Sequence, residues 1–266
     1  MLSDVEPLSG EQESQVASEV FKNIFQETPA APNALTFADN QPRMLFLSLS
    51  DGTSKAKVLF QSGLNLQDTI DGLLRQADDL TANGFAPVWV KLDFVTDVSM
   101  DKSYDLTSAG SLARSLNGLA FEAESGIALL PEVLVAETII DSQQVFRAAN
   151  LAHYLDEAGQ PSEFAQALES AASALVYRFS TSAYFYEDGQ IIPLYRGHRS
   201  FPAFTSEELL ASAISGGSYL TDAVDRNRRF VYSYLPESDS ESEDYNILRH
   251  AGTTYAILDL YKQTVD

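Results

Sequence analysis

Two pairs of extended, apolar-rich runs folded back on short polar turns constrain this chain more than any other feature. Arg43 to Ser50 (RMLFLSLS) and Lys55 to Gln61 (KAKVLFQ) flank Asp51-Gly52-Thr53-Ser54, and Val176 to Leu194 (VYRFSTSAYFYEDGQIIPL) folds about Glu187-Asp188-Gly189-Gln190. Asp-Gly at the centre of such a run is hairpin chemistry, because the glycine takes a positive φ without steric cost. Each hairpin pairs its own strands antiparallel, so any sheet built from them is largely antiparallel.

Before and between the hairpins the apolar spacing changes from two to about 3.6 residues, which marks helices. Ser9 to Gln26 carries Val16, Val20, Phe21, Ile24 and Phe25 on one side with Ser9 as its cap. Asn65 to Asn83 does the same with Leu66, Ile70, Leu73, Leu74, Ala77 and Leu80, ending at Gly84. Pro87 to Val98 reads as a half-buried strand, with Val88, Val90, Leu92 and Phe94 inward and Trp89, Lys91, Asp93 and Val95 on the opposite side. Leu119 to Ile140 reads as strand-like pieces about Ser125-Gly126, interrupted at Pro131, with a short helix as the other reading of its second part. Asp141 to Ala158 and Ser162 to Leu175 read as helices capped by Asp141 and Ser162. The class that emerges is α+β, antiparallel hairpins with packed helices.

After Pro202 the texture becomes helical. Thr205 caps a helix that ends near Gly216-Gly217, with a continuation from Tyr219 to Val224. A short strand, Phe230 to Leu235, leads through the acidic loop PESDSESED into a helix from Tyr245 to Thr264. The organisation expected is an N-terminal helix and linker over residues 1–34, an α+β domain over 35–200 and a helical-hairpin segment over 201–266.

Composition narrows the chemistry. With 38 acidic and 17 basic residues among 266 the chain carries a net charge of −21, a field that repels polyanions, so nucleic acid is excluded as a partner. The absence of cysteine removes disulfides, thiolate metal sites and a cysteine nucleophile. The first residues lack the basic and apolar regions of a signal peptide, and no apolar run spans a bilayer. A cytoplasmic protein off the membrane is therefore expected, or an exported one if a signal has been removed. Three histidines without zinc spacing, and no G-x-S-x-G or phosphate-binding glycine loop, leave no expectation of a metal or cofactor. The acidic loop is read as solvated, its charges favouring the start of the helix that follows.

The chemistry-bearing residues concentrate in and beside that last helix. Tyr245 and Arg249 stand one turn apart with His250 on the adjacent row, a set in which a phenol donates a proton, a guanidinium holds an anion and an imidazole acts as base. The opposing reading is that Arg249 pairs with a carboxylate while Tyr245 and His250 pack. Gly252, costly in mid-helix, favours function because it implies close packing against the backbone. Arg196, His198, Arg199 and Tyr234 are the substrate-binding candidates, the basic ones clustering with Arg226, Arg228 and Arg229 as a cationic pocket or as partners of nearby acids. Asp222, Asp225, Glu241 and Asp244 are the nearest carboxylates for glycosidic chemistry.

The segment Arg229 to Leu235 (RFVYSYL), followed by the loop and Tyr245 to Leu258 (YNILRHAGTTYAIL), resembles one hairpin unit of the six-hairpin, α/α-toroid proteins. Many members of that superfamily act on carbohydrates. The resemblance is confined to residues 201–266 and implies helical elements like the start of a toroid, with the remaining helices outside this chain; it carries over no catalytic acid. It implies hydrolysis or elimination at a glycosidic bond, with a glycan or other small molecule as ligand. A non-catalytic interaction or scaffold module with an acidic surface is the other reading, its exposed strands such as Tyr184 to Tyr186 accepting a partner strand.

Overall fold

The computed structural model describes residues 6–25, 39–107, 116–121, 126–143, 145–195, 197–199, 204–235, 240–242 and 244–264. The chain divides into two compact units, Met1–Ser200 and Phe201–Asp266, and the class is α+β.

The first unit is built on an antiparallel sheet. Strands β1 (Arg43–Ser50) and β2 (Lys57–Gly63) form the first hairpin, held at its loop by Asp51, whose carboxylate accepts from the Thr53 and Ser54 amides at 2.8 and 2.7 Å. Those donors, with the Ser54 hydroxyl, hold the carboxyl well below the ordinary range. Strand β3 (Trp89–Asp105) pairs with β1 and continues past the expected end at Val98, bending at irregularities between Val95 and Asp97 and between Asp101 and Tyr104. Strand β6 (Ser173–Glu187) pairs along β3. Its other edge is shared by β4 (Gly118–Phe121), which continues to β5 (Ala128–Leu129), and by β7 (Gln190–Tyr195), which continues to β8 (His198–Arg199). At the β6–β7 turn both Asp188 and Gly189 have positive φ, 50° and 80°, the left-handed pair a two-residue hairpin loop requires.

Because β6 is paired on both edges, Tyr184 to Tyr186 is interior to the sheet. The strand-addition surface expected there is absent.

Strand alternation sends side chains to two covered faces. On one, Leu45, Leu47 and Leu49 meet Val90, Leu92 and Phe94 beneath helices α1 (Gly10–Phe25) and α2 (Leu66–Ala82). On the other, Met44, Phe46, Leu119 and Phe179 lie against the segment of α3 (Pro131–Ala136), α4 (Ala148–Glu157) and α5 (Glu163–Leu168). The caps are local. Ser9 Oγ accepts from the Gln12 amide at 3.3 Å while Gln12 Oε1 accepts from the Ser9 amide at 2.9 Å, and Asn65 accepts from the Asp68 amide at 2.8 Å. Asp141 does not cap a helix as expected: its carboxylate accepts from the Gln143 and Val145 amides, both at 2.9 Å, closing a turn, and α4 starts only at Ala148. Pro131, read as an interruption, opens α3 at its first turn, where its missing N–H costs nothing.

The second unit pairs α6 (Ser206–Asp222) with α7 (Ile247–Thr264), and a two-residue ladder joins β9 (Tyr234–Leu235) to β10 (Ser240–Glu241). Thr205 and Glu208 form the reciprocal cap of α6, at 3.1 and 2.8 Å. The helix runs straight through Gly216-Gly217 instead of ending there. A Cβ on Gly217 would lie 2.5 Å from Leu260 Cδ2, so this glycine admits α7 and does not terminate α6. Gly252 behaves in the opposite way to expectation: among the described residues, nothing lies within 4 Å of where its Cβ would be.

Candidate functional site

In the second unit, Asn246 sets the start of α7. Its Oδ1 accepts from the amides of Leu248 and Arg249 at 3.0 and 3.1 Å, so Tyr245 precedes the helix and does not share a helical face with Arg249. Upstream, Val224 and Phe230 bridge, and Asp225 closes the loop between them by accepting from the Arg229 amide at 2.7 Å. That donation lowers the Asp225 carboxyl below its ordinary range, and Asp225 serves the loop.

From this loop the chain passes the start of α7. Phe230 and Tyr232, two residues apart, both reach the start of α7. Phe230 stands 5.0 Å, ring centroid to ring centroid, from His250, and the Arg249 guanidinium lies 5.1 Å over the Tyr232 ring. Tyr245 closes the cluster, 5.7 Å from His250 on one side and 4.8 Å beneath the Arg229 guanidinium on the other. The result is an alternation of rings and guanidinium planes around an imidazole.

The structure thus brings Tyr245 and His250 together, but it stacks Arg249 on Tyr232. Arg229, read only as part of a basic run, takes the place beside Tyr245. Tyr245 is 40% exposed, and both arginines are exposed. His250 is half-buried, and its Nδ1 is shut off from solvent with no hydrogen-bond partner among the described residues. An imidazole nitrogen in that position is out of the ordinary for a packing residue, which normally has its polar tip satisfied.

The other candidates belong to the first unit or fall outside the described residues. His198 and Arg199 form β8 and are exposed; Arg199 pairs with Glu187, so its cation neutralises a neighbouring carboxylate. Arg196 lies outside the described residues, as does the side chain of Tyr234. His153 is a surface histidine, 3.2 Å from Glu157. Most of the acidic loop lies outside the described residues. Among the described residues, no group of histidine and carboxylate side chains converges as a metal would require, and no helix is long and apolar enough to cross a membrane.

Sequence reasoning missed one ionisable cluster in the first unit. Asp93, placed on the open side of its strand, is 2% exposed, because the α3–α5 segment covers that face. Its Oδ1 accepts from Lys91 Nζ and Thr181 Oγ1, both at 3.3 Å. The ammonium also lies 3.0 Å from Oδ2 without the alignment of a hydrogen bond, and it pairs outward with Glu132. Burial, opposed by the Lys91 charge, pushes the Asp93 carboxyl up to about 6. The two neighbouring carboxylates outweigh burial at Lys91 and hold its ammonium above the ordinary lysine value.

No family model matches this chain, and neither does any curated protein. Among solved structures, the uncharacterized protein PH0010 from Pyrococcus horikoshii is similar over 70% of this chain and 96% of its own, at 16% identity and a TM-score of 0.41. A likeness of that degree carries no argument about activity.

Proposed function

We propose that the ring and guanidinium cluster of the second unit binds a carbohydrate, and that any turnover there is hydrolysis or elimination at a glycosidic bond. What carries this reading is the unpartnered Nδ1 of His250, set between the Phe230 and Tyr245 rings beside Arg229 and Arg249. Sugars are recognised by apolar C–H faces laid on aromatic rings and by hydroxyls or carboxylates held by planar donors, and both kinds of group are present. In this reading His250 is the base, Tyr245 the proton donor and Arg249, aided by Arg229, the anion holder. The likeness of this segment to one hairpin of the α/α-toroid proteins supports the same class of ligand.

The experiment is thermal unfolding against a panel of neutral and acidic oligosaccharides, because a ligand that binds the native state raises the midpoint by mass action. A rise abolished by Arg249→Ala is expected. No rise with any glycan, from a protein that unfolds cooperatively, would overturn the reading.

One observation favours the alternative, a non-catalytic interaction module. Neither α6 nor α7 has a buried residue, and Leu210, Tyr219, Leu248, Tyr255 and Tyr261 are all exposed. Exposed apolar surface of this kind marks protein contact. Retention of a protein partner by the unmodified chain and its loss in Leu248→Asp with Tyr255→Asp would support this reading, provided glycans give no shift.

A further inference from the structure

Helix α1 lays Val16, Ala17, Val20 and Phe21 into the core. Glu13, one turn earlier, lies on the same stripe by its spacing and is itself only 5% exposed. A carboxylate at such a position ordinarily requires a cation, yet among the described residues no ion pair involves Glu13. Its contacts are hydroxyls of β6: Ser182 Oγ donates to Oε1 at 2.6 Å, and the Tyr184 oxygen lies 3.4 Å from Oε2.

Tyr184 has one proton, and its shorter bond goes to the Gly10 carbonyl at 3.0 Å. When that bond is made, Oε2 faces the lone pairs of the phenol oxygen. A protonated Glu13 can donate into those lone pairs; an ionised one cannot. We propose that docking of α1 onto the sheet is coupled to protonation of Glu13, so that the helix is held more tightly as the pH falls.

The influences on Glu13 oppose one another, and burial prevails. Burial raises the carboxyl above its ordinary value, while Ser182, Tyr184 and the more distant Arg43 oppose this without overcoming it. Arg43 is already engaged by Asp39 and by the Glu6 carbonyl. No charged group of α2 contributes. With the docked value above the undocked one, the docked state takes up the proton more readily. Protonation therefore tightens docking, and the gain is lost as pH rises through the docked value. Asp93, on the opposite face, is held by the adjacent hydroxyl of Thr181, so β6 presents consecutive hydroxyls to two buried acids.

The test is native-state hydrogen exchange, corrected for intrinsic rates, on the amides of Val16 to Phe21, with Ile70 and Leu73 of α2 as reference for any global change. Protection of α1 relative to α2 should fall several-fold between pH 5 and pH 8. Glu13→Gln should abolish that dependence, and Ser182→Ala, which removes a donor to the charged form, should move it to higher pH. Persistence of the full dependence in Glu13→Gln would overturn the proposal. So would a carbon-13 titration of the unmodified protein in which the Glu13 carboxyl has an ordinary glutamate midpoint, a readout independent of whether any variant folds.

Discussion

Replacing Asp93 with asparagine separates the cost of burying a charge from the benefit of pairing it. In the native state the carboxyl titrates at about 6, against an ordinary value of 3.8. Because the native value is the higher, the folded protein binds a proton that the unfolded chain has given up across this interval. Stability therefore rises as the pH falls through 6, and the gain is complete only below the unfolded value. A shift of this size corresponds to roughly 3 kcal/mol in the limit, of which about 2 kcal/mol is developed between pH 8 and pH 4. Asparagine cannot titrate. It also deprives Lys91 of one partner, but that attraction is already contained in the native value of about 6, so it adds nothing further to the difference between the two proteins.

The measurable quantity is thus a difference of differences. Urea unfolding of both proteins at pH 4, 6 and 8 should show the variant gaining on the parent by about 2 kcal/mol from pH 4 to pH 8, whatever the offset at either end. Parallel stability curves for the two proteins would refute the reasoning, since they would mean that Asp93 is hydrated or fully compensated in the native state.

Gly252→Ala should stabilise α7 by about 1 kcal/mol, because the site has room for a Cβ and glycine is costly in a helix; unchanged or reduced stability of the second unit would mean an unrecognised neighbour. Gly118→Ala should have the opposite effect. Its Cβ would fall 2.3 Å from the Phe179 ring and 2.7 Å from the Leu129 carbonyl oxygen, so a loss of roughly 1–3 kcal/mol is expected in chemical unfolding. Asn65→Ala removes the cap of α2 and should lower stability by about 1 kcal/mol, with Asn65→Ser largely restoring it. In the candidate site, Arg229→Ala and His250→Ala should each abolish any glycan-induced rise in the unfolding midpoint, whereas Arg199→Ala, whose partner is Glu187, should leave that rise intact.

What the sequence determined by itself is local. Both hairpins, the capping role of Ser9, Asn65 and Thr205 and the α+β class follow from turn chemistry, cap chemistry and periodicity. Tertiary structure decided everything that depends on which surface meets which. Alternation placed Lys91 and Asp93 on one side of β3, but the covering of that side depends on helices about 40 or more residues away in the chain, as the Lys91–Glu132 pair shows. The two glycine positions in the second unit look alike as helix breakers. Only the approach of Leu260 separates Gly217, where the backbone must be bare, from Gly252, where nothing is near.

The candidate site divides in the same way. The cap at Asn246 set the register of α7, a local matter, and put His250 in its first turn. That Arg249 stacks on Tyr232 and Arg229 on Tyr245, exchanging the partners that helical spacing suggests, arises because Tyr245 lies before the helix and the segment from Arg229 to Tyr232 runs past it. Spacing along a helix predicts neighbours only among residues that are in the helix. The contacts that assemble this cluster join separate segments, and no periodicity within either one encodes them.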